Sequence, residues 1–269
     1  MRRLLFSARD ARGRSHIGAV SIDLEQGRAG PPDDEPLLGP GELGAFDDSG
    51  VTSSCMVLDA SGHRFLYYTG WSLGVTVPFY LFAGLAVSED GGRSYRRASR
   101  APILPRSDVD PFLTASPWVI RGEDRWRMWY VSGSGWSERP EGPRHRYHIK
   151  YAESSDGFSW RCEGHVCIDY ADDDEYAFGR PCVVHDDDLL RMWYCSRGGA
   201  YRIGYAESTD GLNWERRDAE AGIGLSPEGW DAEMQAYPLV VDHRGSRYLL
   251  YNGNGYGATG IGYATVASE

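Results

Sequence analysis

The sequence predicts an all-β protein, a five-bladed β-propeller with an incomplete closing blade. Three observations carry this reading. One strand-turn-strand phrase comes round repeatedly along the chain, and "IKYAESSDGFSW" (149–160) and "IGYAESTDGLNW" (203–214) are nearly interchangeable. Between turn dipeptides such as Asp-Gly stand short runs rich in Val, Ile, Trp and Tyr, the pattern of successive antiparallel hairpins. No stretch combines helical periodicity with caps.

The elements follow in order. The N-terminus supplies a partial copy, "RLLFSARDARGRSHIGAVSIDLEQG" (3–27), which begins at the repeat's second strand. "RAGPPDDEPLLGPGELG" (28–44) reads as a Pro/Gly-rich connection. "SSCMVLDASGHRFLYYTG" (53–70) with "FAGLAVSEDGGRSYRR" (82–97) is a diverged copy. "SPWVIRGEDRWRMWYVSG" (116–133) and "RPCVVHDDDLLRMWYCSR" (180–197), each followed by its own YAESxDGxxW phrase, are the two closest copies. "YPLVVDHRGSRYLLYNGN" (237–254) and "GIGYATVAS" (260–268) stop at a third strand. Four-stranded units of roughly 50–65 residues suit propeller blades. One propeller domain over 1–269 is expected, with a partial blade at 1–27, a linker at 28–44, and blades at about 45–100, 101–165, 166–220 and 221–269. The closing blade lacks an innermost strand and leaves an unpaired edge that a second copy of the chain could cover.

Composition narrows the partners. The net charge of −11, from 39 acidic and 28 basic residues, argues against binding nucleic acid or an anionic membrane. No apolar run is long enough for a membrane helix, and the N-terminus has too short an apolar stretch for a secretion leader. The 5 cysteines form no CxxC pair, so neither a disulfide framework nor a metal site is indicated; reduced thiols in a cytoplasmic protein are expected. No cofactor is implied.

Aligning the four later copies on the residue opening the inner strand (Ser54, Pro117, Pro181, Pro238) places Asp47, Asp110, Asp174 and Asp231 seven positions earlier in each. Further acids, Asp48, Glu175 and Glu233, stand beside three of them. An aspartate at a fixed offset can simply cap a turn. A turn needs one such carboxylate, so the extra acids raise the alternative of a crowded channel site for acid–base work. Arg180 and Tyr237 immediately precede inner strands, where they could hydrogen-bond a sugar or pair with the acids. Arg9 and Arg197 end equivalent second strands and could bind a carboxylate or phosphate. Trp71 and Trp136 lie just after second strands, where sugar stacking is the functional option and packing on the blade the other. Trp129, Trp160, Trp193 and Trp214 recur at equivalent positions and are expected between blades.

At these acids the chain resembles the propeller glycoside hydrolases of the family 43 and family 32 type, and its phrases "FDDSGV", "GWDAEMQAYP" and "YNGNGYG" resemble a bacterial glycosyl-hydrolase-like group. The resemblance implies Asp48 as base, Asp110 as modulator and Glu175 as acid, acting on a small or soluble glycoside with inversion. Asp47, Arg9, Trp71, Trp136, Arg180, Arg197, Glu233 and Tyr237 would bind the substrate. The alternatives are a phosphorylase, with Arg180 and Arg197 holding phosphate, and a non-catalytic carbohydrate-binding propeller.

Overall fold

The computed structural model describes residues 2–265, and these are almost entirely β-strand and turn. The first sheet contains β1 (Arg2–Arg9), β2 (Ser15–Asp23), β3 (Arg28–Pro32), β4 (Gly50–Leu58), β5 (Arg64–Leu73), β6 (Phe79–Ser88) and β7 (Arg96–Arg97). A single parallel pair, Ser15 with Gly50, joins β2 to β4, so this sheet divides into a three-stranded unit, β1–β3, and a four-stranded unit, β4–β7. The second sheet is β8 (Thr114–Arg121), β9 (Trp126–Ser137), β10 (Arg144–Ser154) and β11 (Val166–Ile168). The third is β12 (Ala177–Asp186), β13 (Leu189–Arg197), β14 (Tyr201–Ser208) and β15 (Glu215–Arg216). The fourth has three strands, β16 (Ala236–His243), β17 (Ser246–Asn252) and β18 (Ile261–Thr265).

The segment expected as a linker is in part a strand. β3 pairs with β2, and Leu38 is buried and bridged to Ile17. Pro31 and Pro32 masked it in the sequence, yet an edge strand tolerates proline because its outer N–H groups need no partner. The N-terminal copy does begin at a second-strand equivalent: Phe6 of β1 stands where the other copies have Tyr68, Tyr130, Tyr194 and Tyr251.

Neighbouring units meet through their first strands. The Trp118 indole on β8 donates to the Val183 carbonyl on β12 at 2.9 Å. The Val119 and Val240 amides each donate, at 3.2 Å, to a cysteine sulfur on the preceding unit, Cys55 and Cys182. All five cysteines are free and four are buried, and burial pushes the Cys55 and Cys182 thiols up to about 12, so they are neutral packing groups. The first and last units also meet. Leu4, Ile22 and Leu24 pack with Leu239, Tyr248 and Leu250, and Arg244 pairs with Glu25 at 2.8 Å.

The repeated phrase explains itself at the turns. In "ESxDG" the aspartate accepts from the next backbone amides: Asp156 from Phe158 and Ser159, and Asp210 from Leu212 and Asn213, all at 2.8 Å. The glycine that follows has φ of 78° at Gly157 and 81° at Gly211, and a Cβ at Gly157 would press on Tyr67 and Trp126. Its carbonyl is then free to receive the preceding unit: the Tyr67 hydroxyl donates to Gly157 and the Trp129 indole to Gly211, each at 2.8 Å. The turn phrase is therefore also an inter-unit socket.

These turns set an acid limit on stability. Amides and the Asn213 side chain hold the Asp210 carboxyl well below the usual range, and the Ser94 and Ser88 side chains do the same at Asp90. Burial alone would raise Asp156, but the Ser159 and Phe158 amides outweigh it and lower it. A depressed folded pKa gives stability that is present above the unfolded value of about 3.9 and is lost as pH falls through the folded one. Thermal melts should therefore fall steeply below about pH 4. The triple variant D90N/D156N/D210N should be less stable at neutral pH and show a flatter acid limb; an unchanged limb would sink the assignment.

Candidate functional site

Each complete inner strand carries a bulge at the same place. The register slips between Ser53 and Cys55, Ala115 and Trp118, Gly179 and Cys182, and Ala236 and Leu239. In three of them the residue before proline is left-handed: Ser116 (φ 47°), Arg180 (φ 43°) and Tyr237 (φ 60°). Non-glycine residues in this region cost about 1–3 kcal/mol each and concentrate where side chains must be aimed at something. The amides at these bulges are caught by the second strand of the neighbouring unit. Ser116 donates to Thr69 Oγ1 at 2.8 Å, Tyr237 to Cys195 Sγ at 2.8 Å, and Ser53 to Ser7 Oγ at 3.0 Å.

Ser53, Ser116, Arg180 and Tyr237 all line one cavity of about 690 Å³. β1 contributes six consecutive wall residues, Leu4 to Arg9, because no strand lies inside it among the described residues. The rest of the wall combines aromatic and cationic side chains, among them Trp71, Phe79, His145, Tyr147, Arg197, Tyr201 and Tyr256, with aliphatic ones such as Leu81, Val131 and Leu250. Among the described residues, no Asp or Glu lines it.

The guanidiniums are unusual for an acidic protein. Arg180 extends from the third sheet to the first, where Nη2 donates to the Ser54 carbonyl at 3.3 Å, and its buried Nε has no partner among the described residues. Its surroundings are the thiols Cys182, Cys195 and Cys55 and the phenol Tyr237, and burial pulls its pKa down. Arg197 sits against three phenol rings, Tyr201 at 5.2 Å, Tyr176 at 5.5 Å and Tyr256 at 5.8 Å, and its Nε is buried and unpartnered in the same way. Arg9 lies over the Trp71 ring at 5.3 Å, while the Trp71 indole donates to Ser15 Oγ at 2.7 Å. Burial first, then the Arg197 and Arg144 charges, push the His145 imidazole down to about 4, so it is neutral at physiological pH.

The acids singled out from the sequence are elsewhere. Asp47 is buried, accepts from the Tyr68 hydroxyl at 3.0 Å and pairs with Arg97 at 2.8 Å. Asp110 is buried and accepts from the Tyr130 hydroxyl (2.9 Å), Ser132 Oγ (2.6 Å) and Lys150 Nζ (3.2 Å). Asp231 accepts from the Tyr251 hydroxyl and from Gln235, each at 2.9 Å. The fixed-offset aspartate is thus a latch onto the tyrosine of its own second strand. Asp174 breaks the pattern: it is exposed, and Tyr194 donates instead to Asp218 at 2.6 Å.

The extra acids do not converge either. Asp48 closes its own turn, accepting from the Gly44 amide and Ser49 Oγ at 3.0 Å each. Glu175 is clamped bidentately by Arg216 at 2.7 and 2.8 Å and also accepts from the Ala171 amide. The Glu233 side chain is exposed. The picture of Asp48, Asp110, Glu175 and Glu233 crowding one channel site is corrected accordingly: none lines the cavity, and the first three are each engaged locally. Of the other positions, Arg9, Trp71, Arg180, Arg197 and Tyr237 come together on the cavity wall; Trp136 packs against Phe79 and His145 and is not part of it. His145 and Tyr147 went unnoticed in the sequence; the one available signal is the extra length between the second and third strands of this copy, which the structure shows as the long β9–β10 hairpin. Tyr201 and Tyr256 gave no separate signal.

The architecture is that of the β-propeller glycoside hydrolases. A thermostable family-43 glycoside hydrolase superposes with TM-score 0.69 at 12% identity, over 100% of this chain and 91% of that one. The family-32 β-fructofuranosidase of Bombyx mori gives 0.66 at 16% identity, over 98% of this chain and 56% of its own. A further glycoside hydrolase gives 0.73 at 19% identity, over 95% of this chain and 79% of its own. At such identities the likeness establishes fold alone. No family model matches the chain. Two proteins of Mycobacterium tuberculosis, uncharacterized protein MT1551 (strain CDC 1551 / Oshkosh) and uncharacterized protein Rv1502 (strain ATCC 25618 / H37Rv), are each 45% identical over 265 residues, 98% of this chain and 87% of theirs. The chain belongs to the family of these mycobacterial proteins.

Proposed function

We propose that the chain is a five-bladed propeller, its first and last blades having three strands each among the described residues, whose central cavity binds a saccharide. The observation that carries the reading is the cavity wall, where aromatic rings stand beside strained, inward-aimed polar residues at the bulges. Aromatic faces and a few fixed polar groups are what a sugar ring requires of a protein. The likeness to glycoside hydrolases supports the same ligand class. Hydrolysis by an Asp48–Glu175 pair is the weaker form of the reading, because an inverting mechanism needs both carboxyls facing one substrate.

Isothermal titration against a saccharide panel tests binding, and release of nitrophenol from aryl glycosides tests turnover. Binding without turnover is expected. Tyr237→Ala should weaken binding by at least tenfold, corresponding to about 1.4 kcal/mol. Hydrolysis that disappears in Glu175→Gln with an unchanged melting temperature would overturn the non-catalytic reading and restore the carboxylate mechanism.

A further inference from the structure

We propose that Arg180 and Arg197 form an anion clamp, and that the saccharide bound here carries a carboxylate or a phosphate. The inference rests on the sugar-binding reading and names its ligand class. The chain has an excess of acid, and three of its buried or half-buried cations are each answered by one, Lys150 by Asp110, Arg97 by Asp47 and Arg216 by Glu175, while Arg144, over the Tyr176 ring at 4.4 Å, shares the unpartnered buried Nε of the wall arginines. On the cavity wall the pairing stops. Arg180 is surrounded by thiols and phenols, Arg197 by phenol rings, and each keeps a buried Nε without a hydrogen-bond partner among the described residues.

A buried cation without a counter-charge is costly, and the cost is recovered when an anion arrives. Guanidinium suits this task because its planar fork meets a carboxylate or phosphate with two parallel N–H donors, and those groups share that geometry. The backbone supports the same conclusion. Arg180 is held in a left-handed conformation at a bulge that places its side chain across the cavity to the Ser54 carbonyl. Ser116 and Tyr237 share this conformation at the equivalent bulges, so the bulge sets the direction and the arginine supplies the charge. Three phenol rings surround the Arg197 guanidinium at 5.2–5.8 Å, and its buried Nε has no hydrogen-bond partner among the described residues. Arg9, also on the wall, gives the cavity a third cation, and neutral His145 adds a ring nitrogen that can donate or accept.

The test is calorimetric titration of the full chain with glucose, galactose and mannose, with their uronates, with their 6-phosphates, and with inorganic phosphate. At least one charged sugar should bind tenfold or more tighter than its neutral parent, and uronate against 6-phosphate tells which anion is meant. R197Q, checked by its melting temperature, should lose that preference, so that the affinities for the charged and the neutral sugar converge. R9Q serves as a second variant should R197Q fail to fold, and a smaller loss of the preference is expected there. Equal affinity for neutral and charged sugars, or an R197Q protein that keeps the preference, would overturn the clamp and leave sugar binding standing. Binding of inorganic phosphate with no sugar bound would keep the clamp and overturn the saccharide. Binding of nothing in the panel would overturn both.

Discussion

Asp110→Ala is expected to destabilise the protein by about 3–5 kcal/mol, the cost of leaving the other member of a buried ion pair uncompensated. Asp110 is about 1% exposed and Lys150 about 6%, so neither can turn to water when its partner is removed. The same change strands the Tyr130 and Ser132 hydroxyls, which donate to Asp110 at 2.9 and 2.6 Å. At about 2–4 °C per kcal/mol for a chain of this size, the melting temperature should fall by roughly 6–20 °C. Tyr130→Phe removes one hydrogen bond to a charged group and should cost about 1.5–3 kcal/mol. Asp48→Ala, which touches only its own half-exposed turn, should change stability by about 0.5 kcal/mol or less. The order of these losses separates a latch from a catalyst. A catalytic Asp110 would leave the melt intact when replaced by Asn, whereas a latch loses its charge pairing with Lys150 and melts early. A D110N protein with wild-type stability would sink the latch.

The latch also shows what the sequence could and could not reveal. The recurring aspartates were visible as an offset from the inner strand, and so was the tyrosine that ends each "RMWY"-like run. Their spacing links them: Asp47 to Tyr68, Asp110 to Tyr130 and Asp231 to Tyr251 are 21, 20 and 20 residues apart. The N-terminal copy has Phe6 at this place, so the hydroxyl that donates to the latch is lacking there. Read singly, an aspartate near an inner strand fits a catalyst or a turn cap equally; read as a pair, it is a within-sheet bond. The bulges were harder to see. Nothing in "SP", "RP" or "YP" announces a left-handed residue before proline, because that conformation is imposed by the register slip and by the acceptor on the next sheet, Thr69 or Cys195. The strands themselves were legible because alternation and turn dipeptides are local. The cavity wall was legible only in part: Arg9, Trp71, Arg180, Arg197 and Tyr237 could be singled out, but the wall gathers residues from all four sheets and no local pattern links them.

Trp129→Ala should be the most damaging single truncation in the chain's core, at about 3–5 kcal/mol. Trp129 is fully buried in the second sheet and reaches the third, packing edge-on to Trp214 at a centroid distance of 6.0 Å and beside Tyr151 at 5.7 Å. Among the described residues, its indole is the one nitrogen donor to the Gly211 carbonyl that comes from a neighbouring sheet, since the other, Trp214, lies in the same turn. Removing the ring opens a cavity between two sheets that cannot close by side-chain relaxation alone, because each sheet is held by its own ladder of backbone hydrogen bonds. Trp129→Phe isolates the polar component: most of the packing remains while the inter-sheet hydrogen bond goes, for an expected cost of about 1–3 kcal/mol. Denaturant melts followed by tryptophan fluorescence and by far-ultraviolet circular dichroism should lose stability together in both variants. If the two signals separated in Trp129→Ala, with one sheet melting before its neighbour, the repeated tryptophans would be the element that makes adjacent sheets unfold as one unit. If the midpoint instead stayed at the wild-type value, the sheets would owe their union to the inner-strand contacts at Trp118 and Cys55 alone.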